Sequence, residues 1–237
     1  MNKPGIICAL RSEARCFTPE TLPAQQPVEV NDKALLIVSG MGRERTRQAA
    51  QALADAGADC LVGFGTAGAL APALRPGDLV LAAEVHEAGR NFTVNAGLAE
   101  SVMKWLSRNG FTVHNGPLAC AAQPVATVED KQEVFAQTGA MAVDMESAGV
   151  FDAARRNGLP AFVLRVIIDA AHVALPDAVL QRVDEFGEVD TRGLALDLAR
   201  SPAQIPAVIR LACAARRAGR TMKRVAGLVK NAEVVYK

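Results

Sequence analysis

The chain has 237 residues, of which 50% are apolar and 22% charged, with a formal net charge of +1. Hydrophobicity at this level with almost no net charge excludes a mainly disordered protein, and the length suffices for one large domain with a buried core. One Trp, one Tyr and eight Phe are too few for an aromatic platform that stacks single-stranded nucleic acid. The charge is unevenly spread: residues 205–237 carry eight cations against the single acid Glu233, a net +7 that leaves −6 on residues 1–204. Five scattered cysteines without a C-x-x-C pair read as reduced packing residues of a cytoplasmic protein, not as a disulfide framework or zinc site. The opening apolar run ends at Arg11 and is too short for a signal peptide. No uninterrupted stretch approaches the roughly 18 apolar residues of a membrane span.

Gly5–Leu10 and Ala34–Ser39 read as buried strands, the second followed by Gly40-Met41-Gly42. Arg43–Ala56 reads as a helix with Ala49, Ala50, Leu53 and Ala54 on one face and Gly57 as its stop. Asp59–Phe64 is a further buried strand, and Pro76-Gly77 launches another over Asp78–Val85. Helices fit Leu98–Arg108 and Glu129–Gln137, a short strand Met141–Asp144, and a helix Met145–Asn157 ended by Gly158 and Pro160. Ala161–Ile168 is apolar at nearly every position but Arg165. Strands buried on both faces and alternating with helices imply an α/β fold with a central, largely parallel sheet. From about Pro176 onward helix formers dominate, and Ser201-Pro202 is cap chemistry. With no Gly/Ser linker, repeat or low-complexity tract, residues 1–237 are expected to form a single domain, with 205–237 a basic helical C-terminal segment.

Open α/β sheets bind ligands outside the carboxyl ends of their strands, which directs attention to four exits. At the first, Glu13 follows a buried strand; on its own it reads as a solvated loop acid. The second, Gly63-Phe64-Gly65-Thr66-Ala67-Gly68, has the form G-x-G-x-x-G, yet the chain runs on through Pro72 and Pro76 into another strand. Without a helix to hold a pyrophosphate, a dinucleotide site is excluded. What remains is either a small-residue loop that lets backbone amides approach a ligand or a tight connection between strands. The third is Val143-Asp144-Met145-Glu146-Ser147, whose carboxylates could hold a vicinal diol or serve only as helix-start acids. The fourth is Asp169, an acid ending an apolar strand, where desolvation raises a carboxyl pKa enough to make it a proton donor. His86, His114 and His172 lie far apart in sequence, so no metal site is expected.

Gly5-Ile6-Ile7 with Glu13, then Gly65-Thr66-Ala67-Gly68-Ala69-Leu70 followed by Pro76-Gly77-Asp78, Val143 to Ser147, and Leu164-Arg165-Val166-Ile167-Ile168-Asp169 occur in an order that resembles the nucleoside phosphorylase and methylthioadenosine/S-adenosylhomocysteine nucleosidase superfamily. The resemblance spans residues 5–176. Beyond it, Ala174-Leu175-Pro176 and Ser201-Pro202-Ala203-Gln204-Ile205-Pro206 resemble the hopanoid-associated phosphorylases. The resemblance implies a mixed, mostly parallel sheet flanked by helices and cleavage of the bond between ribose and a purine. Asp169 would then be the acid that protonates the leaving base, and Glu13 the acid that positions attacking water. Glu146 would grip the ribose hydroxyls, Met145 would pack on the sugar, and Thr66, Ala67 and Gly68 would line the substrate.

The branch implies adenosylhopane as substrate, a lipid nucleoside cut to adenine and ribosylhopane or phosphoribosylhopane. Alternatives are a methylthioadenosine/S-adenosylhomocysteine nucleosidase and a non-catalytic nucleoside-binding module. No cofactor is implied, with phosphate a co-substrate of phosphorolytic members. Those members carry an Arg three positions before Thr66, where this chain has Gly63; Arg11, Arg43 and Arg45 are candidates to replace it. Pro124 stands near the place of the base-stacking aromatic of the nucleosidases, and Ala170-Ala171-His172 replaces the Pro-Ala-Asp that follows the branch's acid. A lipid substrate gives the basic segment a reason: Leu211, Ala215, Val225 and Leu228 alternate with its cations as in an interfacial helix at the inner face of a membrane. Nucleic acid is not expected as a partner; a homodimer is.

Overall fold

The computed structural model describes residues 3–30 and 33–231. The end of the basic segment, with Glu233 and Lys237, lies outside the described residues. The chain begins with β1 (Pro4–Cys8), one helical turn α1 (Arg11–Ala14), and the antiparallel pair β2 (Val28–Val30) and β3 (Ala34–Val38). Helix α2 (Arg43–Asp55) returns to β4 (Cys60–Ala69), and β5 (Leu79–Glu87) pairs with β6 (Arg90–Thr93). Helix α3 (Ala96–Arg108) leads to β7 (Val113–Cys120), α4 (Val128–Thr138) to β8 (Ala142–Asp144), and α5 (Ser147–Asn157) to β9 (Ala161–Asp169). The remainder is helical: α6 (Asp177–Leu180), α7 (Thr191–Arg200), a 3-10 turn at Pro202–Gln204, and α8 (Ile205–Asn231). The expected helices and strands are all present, with ends within a few residues except at β4, which continues five residues past Phe64. Sequence reasoning missed α1, β2 and β6, which are short, and β7, whose His114-Asn115-Gly116-Pro117 interrupts any strand pattern.

Strand β4 organises the sheet because its two edges carry different partners. Along one edge it runs parallel to β9. Along the other it pairs with β1 through Cys60–Gly63, and then, antiparallel, with β8 through Gly68 and Ala69. Strand β9 also pairs with β5, β5 with β7, and β7 with β8, so five strands close into a ring. Strands β1, β3 and β2 extend the sheet outward from β4. This is the α/β fold with a mixed, mostly parallel sheet that the sequence led us to expect.

Two features depart from expectation and both matter for the site. The segment Gly63 to Gly68 is not a loop: it is the middle of β4, a ten-residue strand. Between the end of β1 pairing and the start of β8 pairing, residues 64–67 face a gap on that edge. In addition, β9 carries a bulge at Ile168, since Ala67 pairs with Ile167 and Gly68 with Asp169. A bulge re-aims side chains, and here Ile168 and Asp169 both face the same cavity.

Helix α8 corrects the expected interfacial stripe. Val225 is fully buried and Leu228 packs on the core, beside Ala218, Met222, Ala226 and Val229. Leu211 turns into a cavity. The large apolar side chains that the described part of α8 exposes are Ile205 and Ile209 at its start, with Arg216, Arg220, Lys223 and Arg224 exposed further along. No helix among the described residues is long and apolar enough to cross a membrane.

Candidate active site

A cavity of about 290 Å³ opens at the gap beside β4, near the lower end of the range for small-molecule sites. Glu13, Asp169 and Glu146 all line it, and so do Thr66, Ala67, Gly68 and Met145. The seven residues singled out from the sequence therefore meet at one place, delivered by α1, β4, the β8–α5 junction and β9.

Glu13 is not the solvated acid that its neighbourhood in sequence suggests: only 2% of it is exposed. The gap in β4 explains why. The backbone N–H of Thr66, which has no strand partner there, donates to Glu13 Oε1 at 2.8 Å, and the Thr66 hydroxyl donates to the same oxygen at 3.0 Å. Glu13 Oε2 accepts from Ala9 N and Leu10 N at 3.1 and 3.0 Å. Burial pushes the Glu13 carboxyl above the usual carboxylate range, opposed by the Arg165 guanidinium and these hydrogen bonds. Gly65 makes the approach feasible, since a Cβ there would come within 2.6 Å of both Glu13 Oε1 and Arg165 Nη1.

Met145 and Glu146 precede α5 instead of starting it; the helix begins at Ser147. Asp144 serves that helix start, accepting from Glu146 N at 3.3 Å and Ser147 N at 3.2 Å. Glu146 is left to face the cavity. Its Oε1 accepts from Gly42 N at 3.0 Å and its Oε2 from Met145 N at 3.3 Å. Gly42 has φ +103°, a conformation that aims its N–H at Glu146 and that a side chain would strain. Burial pushes Glu146 up to about 7, against the pull of Arg165.

Arg165 was the one charge in an otherwise apolar strand, and the structure gives its reason. It is 2% exposed, donates from Nε to Asp144 Oδ2 at 2.6 Å, and lies 3.7 Å from Glu146 Oε2. It thus underlies three acids at the floor of the site, Asp144, Glu146 and Glu13. Asp169 has a different partner: Lys131 of α4, whose ammonium donates to Oδ2. Burial pushes the Asp169 carboxyl up, with Lys131 pulling it down. Sequence reasoning missed Lys131 altogether, because a lysine within a helix ordinarily faces water.

No described Lys, Arg, Phe, Tyr or Trp side chain lines the cavity, and Pro124 does. A Cβ at Gly63 would meet Val163 Cγ2 at 2.8 Å and Val150 Cγ2 at 3.2 Å, so the strand is packed against the core at the position where the resemblance leads one to expect the Arg of a phosphorolytic member. The three candidate replacements are engaged elsewhere. Arg11 pairs with Glu188 at 3.0 Å, Arg43 with Glu87 at 2.8 Å and Asp152 at 2.5 Å, and Arg45 with Glu185 at 3.4 Å.

A cleft at a strand-order switch, ringed by buried acids from separate strand ends, is how α/β enzymes of small-molecule chemistry are built. Residues 27–196 match the family model of the phosphorylase superfamily. The chain belongs to that superfamily, and its expected standing as an enzyme of nucleoside phosphorylase and nucleosidase type goes with it. Among solved structures it is similar to the Helicobacter pylori 5′-methylthioadenosine/S-adenosylhomocysteine nucleosidase bound to butyl-thio-DADMe-Immucillin-A, at 19% identity and TM-score 0.66, covering 96% of this chain and 99% of that one. It is also similar to the futalosine hydrolase of the same organism, at 22% identity and TM-score 0.63, over 71% and 88% of the two chains. These likenesses are ones of fold. A search of curated proteins found no match.

Proposed function

We propose that this protein breaks the N-glycosidic bond of an adenine nucleoside, with water as the nucleophile, and that the nucleoside carries a bulky apolar 5′ group. The observation that carries this reading is the meeting of Glu13, Glu146 and Asp169 around one cavity that no described cation lines. Glu146 exchanges its backbone donors for the vicinal ribose hydroxyls, and Met145 packs on the sugar. The methyl group of Ala67 and the bare backbone of Gly68 leave room for the purine beside Asp169. As the C1′–N9 bond breaks, its electron pair passes to the base, which takes the Asp169 proton at N7. Water bonds to C1′ through its oxygen and gives a proton to Glu13, held in place by Thr66. Two carboxyls in different surroundings thus act as acid and base, a division that environment alone can set.

Hydrolysis is favoured over phosphorolysis because a phosphate dianion needs donors with charge, and the three candidate arginines are spent on other acids. The test follows adenine release with and without inorganic phosphate, with mass spectrometry of the sugar. We expect equal rates and an unphosphorylated ribosyl product; a phosphate requirement with a phosphorylated product overturns hydrolysis.

The lining that the C-terminal part of the chain gives this cavity supports the apolar 5′ group. Leu175, Val179, Leu180, Val183 and Leu211 line it, a wall suited to hydrocarbon such as the hopane of adenosylhopane. Methylthioadenosine and S-adenosylhomocysteine, smaller at that position, are the competing substrates. A lipid nucleoside has to be met at a membrane, and the outer surface of α7 and α8 suits anionic headgroups. Leu196, Ile205 and Ile209 are 59%, 40% and 58% exposed, among the exposed Arg192, Arg200, Arg210 and Arg216. Apolar side chains set among cations give interfacial binding that salt weakens. Sedimentation with phosphatidylglycerol vesicles should carry the protein down at low salt and release it at high salt. A homodimer that buries these residues instead would leave the protein in the supernatant, and that result ends the membrane reading.

A further inference from the structure

Helix α4 has one buried residue, and it is a lysine. Lys131 is 1% exposed, an arrangement that costs free energy unless every donor is satisfied. All three ammonium hydrogens have acceptors at the same short stretch of chain: Asp169 Oδ2, Ala170 O at 3.1 Å and Val173 O at 2.6 Å. The following residue pair is anchored as well, with Leu175 N donating to Ala126 O at 2.8 Å. Leu175 lines the cavity. One side chain therefore fixes the acid and the turn after β9, and a separate backbone hydrogen bond from Leu175 to Ala126 fixes the start of the apolar wall.

We propose that Lys131 is a positioning residue for the reaction, holding Asp169 by Oδ2 so that the other oxygen meets the base and stabilising the carboxylate that proton transfer leaves behind. The inference rests on the reading of Asp169 as the acid that protonates the leaving purine. The proton passes from Asp169 to N7 and the ammonium stays charged throughout; Asp169 regains its proton from water after adenine departs. Lys131 is the charged group that faces Asp169. Its helix neighbours Glu129 and Asp130, and His172 and Asp177 on the segment after β9, are exposed. Glu13, Asp144 and Glu146 face Arg165 across the floor of the cavity.

A role confined to packing and a role in setting the charge of Asp169 differ in their pH signature. With the ammonium gone, Asp169 keeps its proton to higher pH. The alkaline limb of kcat, which reports loss of that proton, should then move up by roughly one to three pH units in Lys131→Met. We expect kcat at neutral pH to fall about 10- to 100-fold, part of what a general acid supplies, while KM stays within about threefold. Lys131→Arg should leave the limb in place and recover part of kcat. Should Lys131→Met not fold, Lys131→Gln keeps a donor without the charge and gives the same comparison. An unmoved limb, or equal losses in the Met and Arg variants, overturns the proposal. Carboxyl ¹³C titration of Asp169 in wild type and variant reads the same shift without turnover. If wild type releases no adenine from adenosylhopane or methylthioadenosine, the proposed function falls, and this titration still decides for or against Lys131.

Discussion

Asp169→Asn should lose adenine release by about 10²- to 10⁴-fold in kcat, the range that a positioned general acid supplies. The amide keeps the shape of the carboxyl and can accept from Lys131, so the wall of the cavity is preserved, but it has no proton to give to N7. Affinity for the nucleoside should therefore change little, within about tenfold by calorimetric titration, because in the proposed mode the ribose is held by Glu146 and not by Asp169. Release within about fivefold of wild type would mean that the base leaves without this acid and that Asp169 is structural. The variant also denies the buried Lys131 ammonium a carboxylate partner at every stage, so its thermal stability has to be measured alongside its rate.

The second large effect is one of stability. Arg165→Met removes the cation beneath Glu13, Asp144 and Glu146 and leaves buried carboxylates uncompensated, a loss of about 3–5 kcal/mol. For a chain of this size that is a fall in Tm of roughly 6–20 °C. The pH dependence has a definite sign. Burial already raises Glu13, and raises Glu146 to about 7; without the guanidinium both rise further. Acids with raised values in the folded state bind more protons there than in the unfolded chain. Their contribution is most favourable below the ordinary carboxylate range and is lost as pH rises through the folded values. Calorimetry should therefore find the variant closer to wild type at pH 5 than at pH 8. Equal deficits at the two pH values would show that Arg165 acts by volume and not by charge.

Much of the candidate site was legible because its residues stand at strand exits, where hydrophobic periodicity stops and a polar residue follows closely. Asp169 and Glu146 are of that kind. The apolar strand before each fixes where it emerges, and a strand-exit rule says that such positions share one side of the sheet. Glu13 was harder: nothing around it in sequence indicates the gap in β4 that supplies Thr66 N–H as its partner, so the local pattern looked like a solvated loop. The same gap hid the extent of β4, since Gly63, Gly65 and Gly68 resemble punctuation when close contacts with Val163, Glu13 and Asp169 are what they permit. Arg165 carried a signal in its isolation among apolar residues, though not one that names its partners. Lys131 carried none, for its helix reads as an ordinary surface helix and its acceptors lie 38 or more positions later. The amphipathic reading of residues 205–237 found a real stripe and assigned it to the wrong side. Val225 and Leu228 pack inward because β9 and its neighbours offer apolar surface, which periodicity cannot distinguish from a lipid.

Cleavage of the glycosidic bond of an adenine nucleoside with an apolar 5′ group is the reaction we propose for this cavity. Its most direct measurement is the rate of adenine release by the full-length protein, in detergent and phosphate-free buffer, from adenosylhopane and from 5′-methylthioadenosine. We expect free adenine, with kcat/KM at least about tenfold higher for the lipid nucleoside, a preference within what a well-filled apolar pocket supplies. No adenine from either nucleoside contradicts the proposal.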